Sequence, residues 1–375
     1  MGAKVMLAVA GAGKTYHICH TINPGKRNLI LAFTHENINN IRKELIDAYG
    51  EIPKLTSIMT FDSFLFRCFI RPYEPSIGEF FDIMGFRSNG VTMKEPPAQT
   101  LKVGNRYIAN PRYYSKDKIE HYITGNKQYY CSRLSELIMY VSKGKGAFMK
   151  RVIKRLNMFF DQILIDEFQD FRKYDYDVLI EMSKSLHDVI LVGDYYQHSV
   201  SATNNSGKPF KKGKDEISYT SFVTELRDLK FCVDDTTLKK SRRCSDNICS
   251  LVRRKLGINI ESSGINTGDV IWITRNEIEH MLDNSSVIKL VCKEAEKYTF
   301  NAMNWSYSKG NTVSEACVIL TQDFNDMDKE EFSTARISNI TINKLYVALT
   351  RSSGNLFLIK KSDFDLCKNR YIRRN

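Results

Sequence analysis

The run Ala8-Val9-Ala10-Gly11-Ala12-Gly13-Lys14-Thr15 constrains this chain more than any other segment. The apolar stretch Val5–Val9 leads into it, and a helical pattern runs from Lys14 to Ile22 until Asn23-Pro24-Gly25 stops it. Strand, glycine turn and helix in that order are what a phosphate-binding loop requires. The glycines let the backbone curl so that its amides face an anion, and the helix N-terminus adds partial positive charge. Ala10, Gly11, Ala12, Gly13, Lys14 and Thr15 are therefore expected to cradle a nucleoside triphosphate, with Lys14 reaching the β and γ phosphates and Thr15 ligating Mg²⁺. The first position of the general pattern, ordinarily glycine, is Ala8 here.

A second segment completes that expectation. The apolar stretch Gln162–Ile165 ends in Asp166-Glu167-Phe168-Gln169-Asp170. A carboxylate at such a strand end suits Mg²⁺, so Asp166 is the second metal candidate, and Glu167 is placed to polarise an attacking water. The two segments together point to a magnesium-dependent ATPase with ATP and Mg²⁺ as its cofactors.

Around them, strand and helix patterns alternate. Asn28–Phe33 is a strand-length apolar run, Asn37–Tyr49 carries apolar residues at helical spacing, and Asp188–Val192 is again strand-like. This order predicts an α/β fold with a parallel sheet covered by helices. From about residue 235 a second unit begins, with strand candidates Val270–Ile273, Val287–Val291, Ala316–Leu320 and Leu356–Ile359. Residues 70–145 have weaker periodicity and many Tyr, Lys and Arg, and read as an inserted subdomain. The expected layout is a first unit of 1–69 and 146–230, the insert 70–145, and a second unit of 231–375.

A length of 375 residues fits this, at roughly 150 residues per domain. The formal charge of +12 favours a polyanionic partner such as nucleic acid. Nine cysteines without a C-x-x-C pair argue against a zinc ribbon or redox dithiol and fit reduced thiols in the cytoplasm. No apolar run reaches the ~20 residues of a membrane span, and the opening residues do not read as a signal peptide.

The two nucleotide segments resemble those of the UvrD/Rep-type superfamily 1 DNA helicases, and the resemblance continues in order along most of the chain. Ala32-Phe33-Thr34-His35 and Thr60-Phe61-Asp62-Ser63-Phe64 look like that family's DNA-contact motifs. Val192-Gly193-Asp194-Tyr195-Tyr196-Gln197 resembles the motif whose glutamine senses the γ-phosphate. Leu238-Lys239-Lys240-Ser241-Arg242-Arg243-Cys244, Ser308-Lys309-Gly310 and Leu345-Tyr346-Val347-Ala348-Leu349-Thr350-Arg351 are similar to its fourth, fifth and sixth motifs.

The resemblance implies two RecA-like P-loop NTPase domains with ATP in the cleft between them. It makes Glu167, Gln197, Arg243 and Arg351 the catalytic set and adds Gly310 to the nucleotide contacts. It assigns Thr34, His35, Thr60, Phe61 and Ser63 to single-stranded DNA, or to DNA with a single-stranded tail, and implies translocation 3′→5′. Further cationic and aromatic candidates are Arg106, Tyr107, Arg112, Tyr113, Tyr114 and Lys116 in the insert and Lys208, Lys211 and Lys212 in the basic loop 201–216.

Four departures bear on function. The seven residues before Ala8 carry no counterpart of the family's adenine-contacting glutamine motif. The family's large second-domain insertion has no room between Arg243 and Lys309, which makes this a compact form. Ser199-Val200-Ser201-Ala202 stands where the family has a base-stacking aromatic, with Phe210 as the candidate substitute. Asn304 and Ser306 replace the usual Thr and His of the fifth motif. The missing insertion and the altered fifth motif support an alternative function, a DNA-binding ATPase subunit that regulates a protein partner such as a nuclease in a defence or recombination complex. An RNA-directed motor is a third reading.

Overall fold

Leu29, Ile30, Leu31 and Ala32 are all fully buried, and Ile163, Leu164 and Ile165 nearly so. Strands covered on both sides show such unbroken apolar runs, and they belong to parallel sheets. In the computed structural model, which describes residues 3–200, 207–213 and 215–373, they form the centre of a six-stranded sheet. Its order is Cys232–Asp234, Lys4–Leu7, Val189–Gly193, Gln162–Ile165, Asn28–Ala32, Thr56–Thr60. Every neighbouring pair is parallel.

Successive residues of a strand face opposite sides. Leu29, Leu31, Ile163, Ile165 and Leu191 accordingly enter one core, and Ile30, Ala32, Leu164 and Val192 enter another. The second sheet is also fully parallel, in the order Val270–Trp272, Leu356–Ile359, Ala316–Ile319, Ile288–Val291, Ala302–Asn304. Two such helix-covered sheets are the RecA-like α/β pair. The two units share a core: Met6, Ile30 and Val192 of the first sheet belong to the same apolar cluster as Leu290, Val318 and Leu358 of the second.

Three expectations need correction. The first unit does not end at 230, because Cys232–Asp234 pairs with Lys4–Met6 and forms the edge of the first sheet. The edge strand Ala302–Asn304 was not foreseen, since three half-buried residues carry too little periodicity. The segment 70–145 is not a separately cored subdomain. Ile77, Phe86, Tyr122, Tyr129, Leu137 and Val141 lie in the same cluster as Leu29 and Ile163, so it is an elaboration packed onto the first sheet. What projects from it is a hairpin, Thr100–Val103 with Arg106–Ala109, exposed along both strands.

Phe61 sits at the junction of sheet and elaboration. It is 1% exposed and packs edge-on against Phe171 at 4.7 Å. Phe61→Ala should cost about 3–5 kcal/mol of stability, the usual range for an aromatic lost from a closed core. Chemical denaturation measures this, and a loss below 1 kcal/mol would contradict the packing role.

Candidate nucleotide cleft and nucleic-acid groove

Parallel strands deliver their loops to one edge, and ligands in such sheets gather there. The first loop curls through Gly11 at φ +72° and Gly13 at φ +81°, in the left-handed region that glycine enters without penalty. Gly11 is also required by space, because a Cβ there would lie 2.7 Å from Arg243 Cβ and from Ser241 Oγ of the facing segment. Lys14 opens the helix Lys14–Thr21, and the Thr15 hydroxyl donates to Asp166 Oδ2 at 2.8 Å. A hydroxyl and a carboxylate are hard oxygen donors, which suit Mg²⁺ completed by water and phosphate. Among the described residues no group of three or more His, Cys, Asp or Glu is placed to hold a metal.

Glu167 follows Asp166 with φ +54°, a left-handed conformation uncommon for a side-chain-bearing residue. That geometry turns its carboxylate toward two lysines, Lys14 at 3.3 Å and Lys309 at 3.8 Å. Burial opposes its charge, but those lysines outweigh burial and hold the carboxyl below its ordinary value. Burial and then the Glu167 charge push the Asp166 carboxyl upward. Lys309, from the second unit, is also paired with Asp170 at 2.6 Å.

The next strand ends in Gly193, where any side chain would collide with Gln169 and Phe168. Asp194 then receives a hydrogen bond from Gln197 Nε2 at 2.9 Å. The second unit brings two arginines to the same place. Arg243 donates to the Thr350 carbonyl at 3.1 Å. Arg351 is only 2% exposed, and it donates to Val347 at 2.8 Å and Ser308 at 3.1 Å through their carbonyls. Burial, and then the neighbouring Arg243, lower its guanidinium to about 9. Its Nη2 has no hydrogen-bond partner among the described residues. A buried cation with an unspent donor is suited to an anion.

Gly11, Gly13, Lys14, Thr15, Asp166, Glu167, Gln197, Arg243, Gly310 and Arg351 all line one cavity of about 270 Å³. Ala10 and Ala12 are buried behind it. Sequence reasoning missed Tyr16, Asn37, Asn40 and Glu44 on its rim. The Arg242 guanidinium lies 4.6 Å from the Tyr16 ring centroid there. Sequence alone assigns no role to Lys309 and Tyr346; only their contacts across the cleft distinguish them.

A second cavity, of about 540 Å³, is lined by Phe33, Thr34, His35, Thr60, Ser63, Phe66, Arg67 and Met93 among others. Thr34 and Thr60 cap the helices that follow, accepting from the Asn37 amide at 3.2 Å and the Ser63 amide at 3.3 Å. Four of the six predicted DNA contacts therefore share a groove. The other two do not. Phe61 is core, as described above. Phe210 is 2% exposed, with the His198 ring parallel at 4.1 Å and the Arg172 guanidinium at 4.2 Å, so its faces are not open to a base. Phe33 and Phe66 line the groove in their place. The segment expected to replace the stacking aromatic, Ser199-Val200-Ser201-Ala202, lies outside the described residues at 201–202, and the side chains of 199 and 200 are likewise not described. Asn304 caps a turn, accepting from the Ala295 amide at 2.9 Å. Of the cationic candidates in the elaboration, Lys116 is paired with Glu136 at 2.6 Å, while Arg106 and Tyr107 sit on the exposed hairpin.

A family model for the UvrD/REP helicase N-terminal domain matches residues 92–199. No curated protein matches the chain. Among solved structures, the PRRSV helicase is 13% identical, over 96% of this chain and 52% of its own, with a TM-score of 0.43. The arterivirus nonstructural protein 10 helicase in complex with DNA is 12% identical, over 95% and 60%, with a TM-score of 0.43. A crystal structure of the arterivirus nonstructural protein 10 helicase is 12% identical, over 97% and 61%, with a TM-score of 0.44. The chain thus spans about half to three-fifths of the length of these structures. The match to the UvrD/REP helicase N-terminal domain lies on the segment that holds the Asp166–Glu167 strand end and the Gln197 motif.

Proposed function

We propose that the chain is an ATP-dependent translocase or helicase on single-stranded DNA. The observation that carries this reading is the single cavity in which the phosphate loop and carboxylates of the first unit meet Arg243 and Arg351 of the second. In this reading the loop amides and Lys14 hold the triphosphate, and Thr15 and Asp166 hold Mg²⁺. The ion supplies charge neutralisation at the phosphates. Glu167 orients and polarises the attacking water, Gln197 senses the γ-phosphate, and Arg243 and Arg351 stabilise the charge that develops on transfer. An arginine supplied to this chemistry is worth about 10³–10⁵ in rate in other systems. Because the arginines belong to the opposite unit, hydrolysis is coupled to closure of the cleft, and closure to movement along a strand. The groove containing Thr34, His35, Thr60 and Ser63 is the DNA candidate, with polarity 3′→5′ from the family resemblance.

A second reading, a DNA-binding ATPase subunit that regulates a protein partner such as a nuclease, draws on the hairpin. Leu101, Val103, Ile108 and Tyr107 are exposed there, Tyr107 by 70%. Mass photometry with candidate partners separates the readings: a chain fully active as a monomer counts against the second.

Steady-state ATPase should rise on adding single-stranded DNA, and a rate unchanged at saturating oligonucleotide would sink the translocase reading. Matched RNA in the same assay decides between DNA and RNA. Lys14→Ala should lose binding of a fluorescent ATP analogue. Glu167→Gln should retain that binding and lose turnover, because only the water-polarising carboxylate is removed. Normal hydrolysis by Glu167→Gln would refute the assignment of the base.

A further inference from the structure

One hydroxyl of the second unit enters the first unit's machinery directly. The Ala10 amide of the phosphate loop donates to the Tyr346 hydroxyl at 2.7 Å. That hydroxyl donates in turn to Asp194 Oδ2 at 3.2 Å. The same carboxylate oxygen accepts from Gln197 Nε2 at 2.9 Å. The Asp194 amide donates to Gln169 Oε1 at 2.9 Å, and Gln169 Nε2 donates to the Glu167 carboxylate. A continuous hydrogen-bonded path therefore runs from the phosphate loop, through Tyr346 and Asp194, to both Gln197 and Glu167. Tyr346, Asp194 and Gln169 are fully buried, so water cannot easily replace a missing member.

Tyr346 lies on the helix Asn339–Leu349. Arg351 follows that helix and is tied back to it through its Nε–H to Val347 O at 2.8 Å. The hydroxyl and the arginine therefore travel together. Burial, and then the Asp194 charge, hold the phenol well above its ordinary value, so it remains a donor at neutral pH.

We propose that the Tyr346 hydroxyl is a positioning residue that aligns Gln197 and Glu167, through Asp194, when the second unit brings Arg351 into the cleft. Without the hydroxyl the units can still meet, but Asp194 Oδ2 loses one of its two donors and the Ala10 amide its acceptor. The groups that act on the γ-phosphate and on water are then less well oriented. This rests on the cleft being an ATPase site.

Tyr346→Phe keeps the ring and its packing and removes only the hydroxyl. In single-stranded-DNA-stimulated ATPase, kcat should fall about tenfold to a hundredfold, the scale of a catalytic group slightly misplaced, with KM for ATP changed less than about twofold. Hydrogen exchange at the Ala10 amide should quicken, while the thermal midpoint should fall by only the few degrees that one unpaired buried donor costs. Asp194→Asn supplies a second route to the same link. The double variant should lose no more than the worse single variant, because both break one path. A kcat for Tyr346→Phe within about twofold of wild type, a defect confined to KM, or losses that multiply in the double variant would overturn the proposal. An inactive wild-type chain would instead overturn the proposed function. Active wild type with an unaffected Tyr346→Phe overturns only the role of Tyr346.

Discussion

The burial of the helix Asn339–Leu349 is the constraint on which the cleft depends. Leu345, Tyr346, Val347, Ala348 and Leu349 are all buried in succession, so the helix has no solvent face along that stretch. A helix apolar on every side must be surrounded. Here it lies in the one apolar cluster that holds residues of both sheets. Tyr346 meets the ring of Tyr196 at 5.7 Å across the junction. Because that packing is close, Arg351 at the helix end is held against Ser308 and Val347 rather than left to search for its target. Apolar packing thus sets the position of a charge.

The charges it brings together are nearly balanced. Lys14, Lys309, Arg243 and Arg351 face Asp166, Glu167, Asp170 and Asp194 with most of their side-chain surface buried. Buried ions persist only when paired or hydrogen-bonded. Lys14 spends its charge on Glu167 and Lys309 spends its own on Asp170. In the proposed reading an arriving triphosphate competes for Lys14, so that nucleotide binding would loosen the hold of Lys14 on the Glu167 carboxylate.

Much of this was legible from residue order. Gly11, Gly13, Lys14 and Thr15 announce their geometry, because only a left-handed turn before a helix requires that composition. The Gln162–Ile165 strand is readable from its apolar run, since it is buried on both faces. The roles of Phe61 and Phe210 were not legible. An aromatic beside a polar loop reads the same whether its ring faces solvent or core, and tertiary packing alone decided both cases. Lys309 and Tyr346 escaped assignment for a related reason. Their partners, Asp170 and Ala10, are more than a hundred residues away in sequence, and no local pattern encodes such a pairing. The elaboration 70–145 looked independent because its periodicity is weak, yet its apolar residues are spent on the first sheet.

The absent side chain of Gly11 has a mechanical meaning. The loop and the Ser241–Arg243 segment approach so closely that one added carbon would meet Arg243 Cβ at 2.7 Å. The two units therefore have no slack at this point, and a single methyl would act as a shim. In the proposed reading a cleft wedged open in that way would keep its lysine and its carboxylates and still be idle, because the arginines would stop short. A tight tolerance thus lies where the loop backbone meets the Arg243 and Ser241 side chains, and it is set by an atom that is not there.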